Sequence, residues 1–265
     1  MAKSVIPKKK LGQHFLADDN IARKIAASLT MDGEHHKVLE IGPGTGMLSK
    51  HLMNRNDADW YGLEVDTEAI LFLQQTYPGF SNRIIKADFL TYDLDQITTD
   101  EPLAVIGNFP YNISTQIMFK VLAERYRIPL VVGMFQKEVA RRIASPPGSK
   151  EYGILSVLTQ AFYDVQLLFS VEPHVFIPPP KVQSSVIRCV KKTGPAIDCN
   201  VSRFFTVVKM AFNQRRKTLK NSLKAMNVRW EALPDHLAKE RPERLDVNDF
   251  AAITRQAGES RPAEN

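Results

Sequence analysis

The sequence predicts an α/β fold: a largely parallel sheet with helices on both faces, followed by a small all-α C-terminal domain. Three observations support that expectation. Short apolar runs alternate with helix-period segments up to about residue 190. The first of these runs opens into a glycine-rich loop, Gly42-Pro43-Gly44-Thr45-Gly46. The last third of the chain loses its strand-like runs and becomes a series of short helices rich in lysine and arginine.

The 265 residues suit one large or two modest domains. We place the boundary so that residues 1–193 form the α/β domain and 194–265 the helical one. The composition, 44% hydrophobic and 24% charged, is that of a soluble globular protein. A net charge of +6 points to an anionic partner. Cys189 and Cys199 are the only cysteines and lack metal-ligand spacing, so neither a disulfide framework nor a metal site is expected. The residues Met1 to Ser4 have no apolar signal core, and no apolar run approaches membrane-spanning length. A cytoplasmic monomer is the expectation.

The elements follow in order. Lys8-Lys9-Lys10 is a solvated tail or a phosphate contact. In Leu11-Gly12-Gln13-His14-Phe15-Leu16, Gly12 permits a bend, and Phe15 and Leu16 can pin the segment to a core. Asp18 or Asp19 caps a helix whose apolar residues Ile21, Ile25 and Leu29 recur at i, i+4, i+8. A strand, Val38 to Ile41, runs into the glycine loop, whose G-x-G-x-G spacing departs from the dinucleotide fingerprint. A second strand, Trp60 to Asp66, ends in acids about twenty residues further on, where a carboxylate can grip ribose hydroxyls. Glu64 is the candidate, and Asp66 can cap the next helix. A third strand, Arg83 to Asp88, also ends in an acid, and Asp88 can accept from an adenine amino group.

The fourth strand, Leu103 to Ile106, leads into Gly107-Asn108-Phe109-Pro110-Tyr111-Asn112. Asn108 therefore stands at a strand's carboxyl end, where open α/β sheets place ligands. Pro110 forces Phe109 out of the helical region. The Asn108 side-chain oxygen and the Phe109 carbonyl can then both accept from one NH2 group, and Tyr111 offers a face on which a base can stack. A helix follows, burying Ile117, Val121 and Leu122. The fifth strand spans Pro129 to Phe135. The helix after it stops at Pro146-Pro147-Gly148, in a loop expected to be mobile. Another helix, Gly153 to Tyr163, and two strands, Val165 to Val171 and Val186 to Val190, complete the sheet. No helix joins these two, so the last strand is expected to run antiparallel. Between them, Phe176-Ile177-Pro178-Pro179-Pro180-Lys181-Val182 is stiffened by proline. Held there, Phe176 would present its ring to a base whose other face meets Tyr111.

From Asn200 to Trp230 there is no acid. Leu219, Leu223 and Met226 make an inward stripe, while Arg216, Lys220 and Lys224 repeat every four residues on another face. Like charges at that spacing repel. Together with Arg215 and Lys217 they suggest a polyanion, nucleic acid above all, as the absent partner. The tail from Arg261 to Asn265 is expected to be disordered.

Taken together, Leu-Gly-Gln-His-Phe-Leu at 11–16, Glu-Ile-Gly-Pro-Gly-Thr-Gly at 40–46, Gly-Asn-Phe-Pro-Tyr-Asn-Ile-Ser-Thr at 107–115, Phe-Ile-Pro-Pro-Pro-Lys-Val-Gln-Ser-Ser-Val at 176–186 and Ala-Phe-Asn-Gln-Arg-Arg-Lys at 211–217 resemble the small-subunit ribosomal RNA adenine dimethyltransferases of the KsgA (RsmA) type. The resemblance implies a Rossmann-like methyltransferase sheet of seven strands, the last antiparallel. It implies S-adenosylmethionine as cofactor. Two adjacent adenosines near the 3′ end of small-subunit rRNA would be the target, each dimethylated at N6. By the same resemblance His14, Leu16, Gly42, Glu64, Asp88 and Asn108 bind the cofactor, His14 standing where many members have Asn and Phe109 where Leu is common. Asn108, Phe109, Tyr111 and Phe176 are the expected catalytic set, and Arg215, Arg216, Lys217, Lys220 and Lys224 the expected RNA contacts. Two alternatives remain open: a large-subunit rRNA adenine methyltransferase of the antibiotic-resistance type, and a non-enzymatic assembly or transcription factor on the same fold. The glycine spacing disfavours a nucleotide-dependent dehydrogenase.

Overall fold

The structure is a computed structural model describing residues 5–30, 36–194 and 197–258, so the expected disordered tail lies outside the described residues. A two-residue strand, β1 (Phe15–Leu16), and helix α1 (Asp19–Ala27) precede the main sheet. Asp18 is the cap of α1: its carboxylate accepts from the Asn20 and Ile21 backbone N–H groups at 2.8 and 3.0 Å.

The sheet is built from β2 (His36–Ile41), β3 (Ala58–Glu64), β4 (Ile84–Lys86), β5 (Leu103–Asn108), β6 (Leu130–Gln136), β7 (Tyr163–Val171) and β9 (Ser184–Lys191). Its spatial order is β4-β3-β2-β5-β6-β9-β7. Strands β2 to β6 run parallel to one another, whereas β9 pairs antiparallel with β6. The last strand is thus antiparallel to its neighbour β6, as expected. The chain leaves β2 toward β3 and β4 on one side and returns to add β5 and β6 on the other. The reversal lies between β2 and β5, so Ile41-Gly42 and Asn108 end side by side at the switch point. Residues Leu103 to Gly107 of β5 are all buried, as expected for a parallel strand covered on both faces.

Helices α2 (Ser49–Leu52), α3 (Thr67–Thr76) and α4 (Ser114–Ala123) follow β2, β3 and β5. Asp66 caps α3, its carboxylate accepting from the Glu68 N–H at 3.0 Å. Ile117, Val121 and Leu122 of α4 are buried as the periodicity required. The α4 cap position is Ile113, without a side-chain bond.

Contacts divide the chain into two compact units, residues 1–140 with 165–191, and residues 141–164 with 192–265. This differs from a boundary at 193/194, because residues 141–164 share the second unit's aromatic core. That unit contains α6 (Ile154–Phe162), α7 (Val201–Asn213), α8 (Leu219–Ser222), α9 (Asp235–Lys239) and α10 (Val247–Gln256); the boundary at 140/141 falls within the residues of α5 (Lys137–Ala144). Phe162 meets Phe205 at 6.1 Å, Tyr152 meets Phe212 at 6.2 Å, and Phe212 stacks on Phe250 at 5.9 Å between centroids. The loop after α5 is tied down rather than mobile. The Gly148 N–H donates to the Glu243 carbonyl at 2.7 Å, and Arg215 donates to the Lys150 carbonyl at 2.9 Å.

One buried acid in the first unit makes stability pH-dependent. Glu40 is 2% exposed and accepts from the Trp60 indole N–H at 2.9 Å. Burial pushes its carboxyl up from 4.5 to about 7. The native chain therefore holds a proton that the unfolded chain releases. Stability from this group is complete below the ordinary carboxylate value and is lost as pH rises through about 7. Glu40→Gln keeps an acceptor for Trp60 and removes the titration. The variant should gain on the parent chain between pH 5 and pH 8, by about 3 kcal/mol at most. Parallel denaturant curves at the two pH values test this, and an equal change in stability for both proteins would refute it.

Candidate active site

The carboxyl ends of β2, β3 and β5, the residues after β4 and the segment before β1 line one open cleft. It opens to solvent between the strand ends and residues 11–15. Its floor is the glycine loop. Gly42 has φ +66° and donates to the Leu63 carbonyl at 2.8 Å. A Cβ on Gly42 would meet nothing closer than Pro110 Cγ at 3.9 Å, so this backbone faces open space that a ligand can approach.

Glu64 is 3% exposed beside that floor. Its Oε2 accepts from the Gly44 N–H at 3.0 Å, and its Oε1 from Val65 and Asp66 N–H at 2.8 and 2.9 Å. Burial pushes its carboxyl above the usual range, against these three donors, which favour the charged form. The bonds fix the carboxylate's orientation, and a carboxylate has lone pairs beyond three. Asp88 is exposed just beyond β4 and accepts from the Leu90 N–H at 2.9 Å. The residues present thus fit a nucleoside-bearing cofactor: a glycine cradle, an oriented acid on one strand end and a second acid on the next.

The segment Lys8 to Ala17 forms a strap across this cleft, which local sequence patterns did not disclose. The Gln13 amide donates to Asp66 at 3.2 Å and accepts from the Lys8 N–H at 2.8 Å. The Lys8 ammonium bonds Asp66 at 2.5 Å and Glu68 at 3.2 Å. Phe15 and Leu16 pair antiparallel with Ile177 and Phe176 of β8 (Phe176–Ile177), and the His14 ring Nδ1 lies 2.7 Å from the Pro178 carbonyl. The run of three lysines is therefore split. Lys8 is an ion-pair partner, while Lys9 and Lys10 stay exposed.

Asn108 faces the strap. Its Nδ2 donates to the His14 carbonyl at 2.8 Å. This bond assigns the amide orientation and leaves Oδ1 as the acceptor. The Phe109 ring is fully buried, edge-on to Phe135 with centroids 5.1 Å apart. Tyr111 is half-buried, and its hydroxyl lies 2.5 Å from the Ser184 hydroxyl. Its ring stacks on His14 at 5.4 Å and 29°.

Several expected placements need correction. Phe176 is 1% exposed and belongs to the core with Leu16 and Val171, so it does not present its ring to an open face. Pairing of β8 with β1 turns that side chain inward. His14, not Phe176, is the ring stacked on Tyr111. Leu16 is 5% exposed in the same core and does not line the cleft.

In the second unit Leu219, Leu223 and Met226 are buried and Arg216, Lys217, Lys220 and Lys224 are at least partly exposed. No single helix holds the cationic stripe, because α8 ends at Ser222 and a 3-10 turn follows at Lys224–Met226. Arg215, also exposed, reaches Glu243 at 3.7 Å and donates to the Lys150 carbonyl. Among the described residues no group of three His, Cys, Asp or Glu is placed to hold a metal ion, and no helix is long and apolar enough to cross a membrane.

Known proteins resemble this chain along nearly its whole length. The sequence profile of the family described as ribosomal RNA adenine dimethylase matches residues 6–255. The ribosomal RNA small subunit methyltransferase A of Flavobacterium johnsoniae is 49% identical over 96% of this chain and 97% of its own. Its counterpart in Bacteroides thetaiotaomicron is 47% identical, over 97% and 96%. Among solved structures, a dimethyladenosine transferase from Plasmodium falciparum superposes with a TM-score of 0.75 at 24% identity, covering 91% of this chain and 96% of that one. The 23S rRNA methyltransferase ErmE does so with 0.67 at 25%, covering 91% and 98%.

Proposed function

The chain belongs to the ribosomal RNA adenine dimethylase family, and from that premise we propose how its own residues perform the reaction. The protein transfers methyl groups from S-adenosylmethionine to N6 of adjacent adenosines in small-subunit rRNA, giving N6,N6-dimethyladenosine. The methyltransferase A relatives outrank ErmE in identity, which supports this reading over the large-subunit alternative. Glu64, Asp88 and Asn108 all stand in one cleft, which favours chemistry over a purely non-enzymatic role. We assign the assembling small subunit as partner, a cytoplasmic setting and action as a monomer.

The observation that carries the mechanism is the Asn108 amide, pinned through Nδ2 so that Oδ1 is left to accept. Gly42, Glu64 and Asp88 hold the cofactor, Glu64 at the ribose and Asp88 at the adenine. When bound, the cofactor supplies a sulfonium methyl group as electrophile. Adenine N6 is a poor nucleophile because its lone pair is delocalised into the ring. Asn108 Oδ1 and the Phe109 carbonyl accept from N6–H, which favours a pyramidal nitrogen and localises that pair. Tyr111, braced by Ser184 and His14, gives the flipped base a stacking face. Positioning supplies most of the rate. The alkylated nitrogen is acidic enough to release its proton without a dedicated His or Glu base.

Labelled methyl transfer to small subunits lacking the modification, with large subunits as control and nucleoside mass spectrometry of the product, tests this reading. Dimethyladenosine in small-subunit RNA alone is expected; product in large-subunit RNA would overturn it. Arg216, Lys217, Lys220 and Lys224 are assigned to phosphates, and so are Lys9 and Lys10. Replacing Arg216 and Lys217 together by Ala should weaken RNA binding at low salt and lower the slope of log K against log salt by about 1–2. Arg215→Ala should act on stability instead, leaving the slope unchanged.

A further inference from the structure

We propose that Gly133 is a positioning residue for methyl transfer: with Gly107 it forms a flat socket that seats the Phe109 ring and so sets the height of the two acceptors over the cleft. The inference rests on the assignment of Asn108 Oδ1 and the Phe109 carbonyl as the atoms that receive the target amine.

Gly133 lies in the middle of β6, a buried strand of otherwise apolar residues up to its terminal Gln136. Glycine there loses backbone entropy on folding and contributes no packing, so its presence points to a close approach from above. Gly107 is its direct cross-strand partner in β5. Neither has a positive φ, so space rather than backbone conformation excludes a side chain at both. A Cβ on Gly133 would stand 2.5 Å from Phe109 Cε2, 3.0 Å from Phe109 Cδ2 and 2.5 Å from Phe135 Cε2. A Cβ on Gly107 would stand 2.7 Å from the Ile41 carbonyl oxygen and 3.0 Å from Phe109 Cε1. The ring thus lies against bare backbone of both strands.

No other place is open to it. Phe109 and Phe135 are both fully buried and meet edge to face, so neither ring can swing aside alone. The Phe109 backbone is tied to the same sheet, its N–H donating to the Met134 carbonyl at 3.2 Å. Lifting the ring would therefore lift the Phe109 carbonyl and the adjacent Asn108, whose amide meets the strap at 2.8 Å. Residues Gly42, Glu64 and Asp88 stand on other elements and would be left in place. The cost should fall on turnover, not on cofactor affinity. A shorter side chain at position 109 would free the space that Phe135 needs to yield, so the cost of a Cβ at position 133 should depend on what stands at 109.

The test is a double-mutant cycle of Gly133→Ala and Phe109→Leu in the full chain, with kcat on small subunits, affinity for S-adenosylmethionine by calorimetry, and thermal unfolding. In the parent background Gly133→Ala should lower kcat at least ~30-fold and change cofactor affinity no more than about tenfold, the most that losing the Asn108 bond to the strap would cost. In the Phe109→Leu background the same change should lower kcat less than about threefold. Gly107→Ala is the control: its 2.7 Å clash with the Ile41 carbonyl is not relieved by Phe109→Leu, so it should stay costly in both backgrounds, whereas the cost of Gly133→Ala is relieved. Equal cost of Gly133→Ala in both backgrounds, or a loss of cofactor affinity matching the loss of kcat, would overturn the proposal. Should Gly133→Ala alone not fold, a folded and active double variant supports the socket, and a double variant that is unfolded or inactive overturns it. Asn108→Ala is measured alongside. Near-normal turnover there would sink the acceptor assignment itself, whatever the cycle shows.

Discussion

Asn108→Ala should lower methyl transfer by about 10²–10³-fold, the scale seen when one preorganised polar contact to a reacting group is removed. The side chain does two separable things. Its Oδ1 receives the target amine, and its Nδ2 ties β5 to the strap through the His14 carbonyl. Losing one neutral hydrogen bond costs about 0.5–1.5 kcal/mol, so cofactor affinity should fall only about threefold to tenfold. Asn108→Asp separates the roles further. It keeps acceptor oxygens but cannot donate to the His14 carbonyl, and its charge repels that oxygen. The Asp variant should therefore bind cofactor more weakly than the Ala variant. Single-turnover methylation and calorimetric titration on both variants give the comparison; near-normal turnover for Asn108→Ala would falsify the acceptor role.

Glu64→Gln should show the opposite split. Both carboxylate oxygens accept backbone N–H bonds within the cleft wall, from Gly44 on one side and from Val65 and Asp66 on the other. An amide must turn its NH2 toward one of these donors. Either choice breaks the link between the glycine loop and β3 or unpairs two N–H groups at the start of the next helix. Hydrogen bonds to a charged group contribute about 1.5–3 kcal/mol, so cofactor affinity should fall about 10- to 100-fold. At saturating cofactor, kcat should stay within about threefold of the parent value, because Glu64 holds the ligand and does not touch the target amine. A large fall in kcat with unchanged affinity would assign Glu64 to the chemical step instead.

Much of the site is legible in the amino-acid order itself. The glycine loop, the acids at the ends of β3 and β4, and the Asn-Phe-Pro-Tyr turn are each local, because a turn and a strand end are written in adjacent residues. The inward stripe of Leu219, Leu223 and Met226 is equally plain from its spacing. The fates of chemically equal neighbours are not. Lys8 is bound to Asp66 while Lys9 and Lys10 are exposed, and of the exposed pair Arg215 and Arg216 the first reaches Glu243. Nothing in the run of like charges distinguishes them, because the partner acids lie far along the chain.

Local sequence thus specifies the order and type of the elements, the switch point where β2 and β5 end together, and the family. These follow from backbone periodicity and turn chemistry, which act over a few residues. Long-range packing settles the rest: the strap pairs with β8, Phe176 turns into the core while His14 stacks on Tyr111, and two facing glycines receive Phe109. Each depends on groups distant in sequence, such as His14 and Pro178, 164 positions apart. Side-chain direction at such a contact is set by strand register, and register is settled only when the whole core closes.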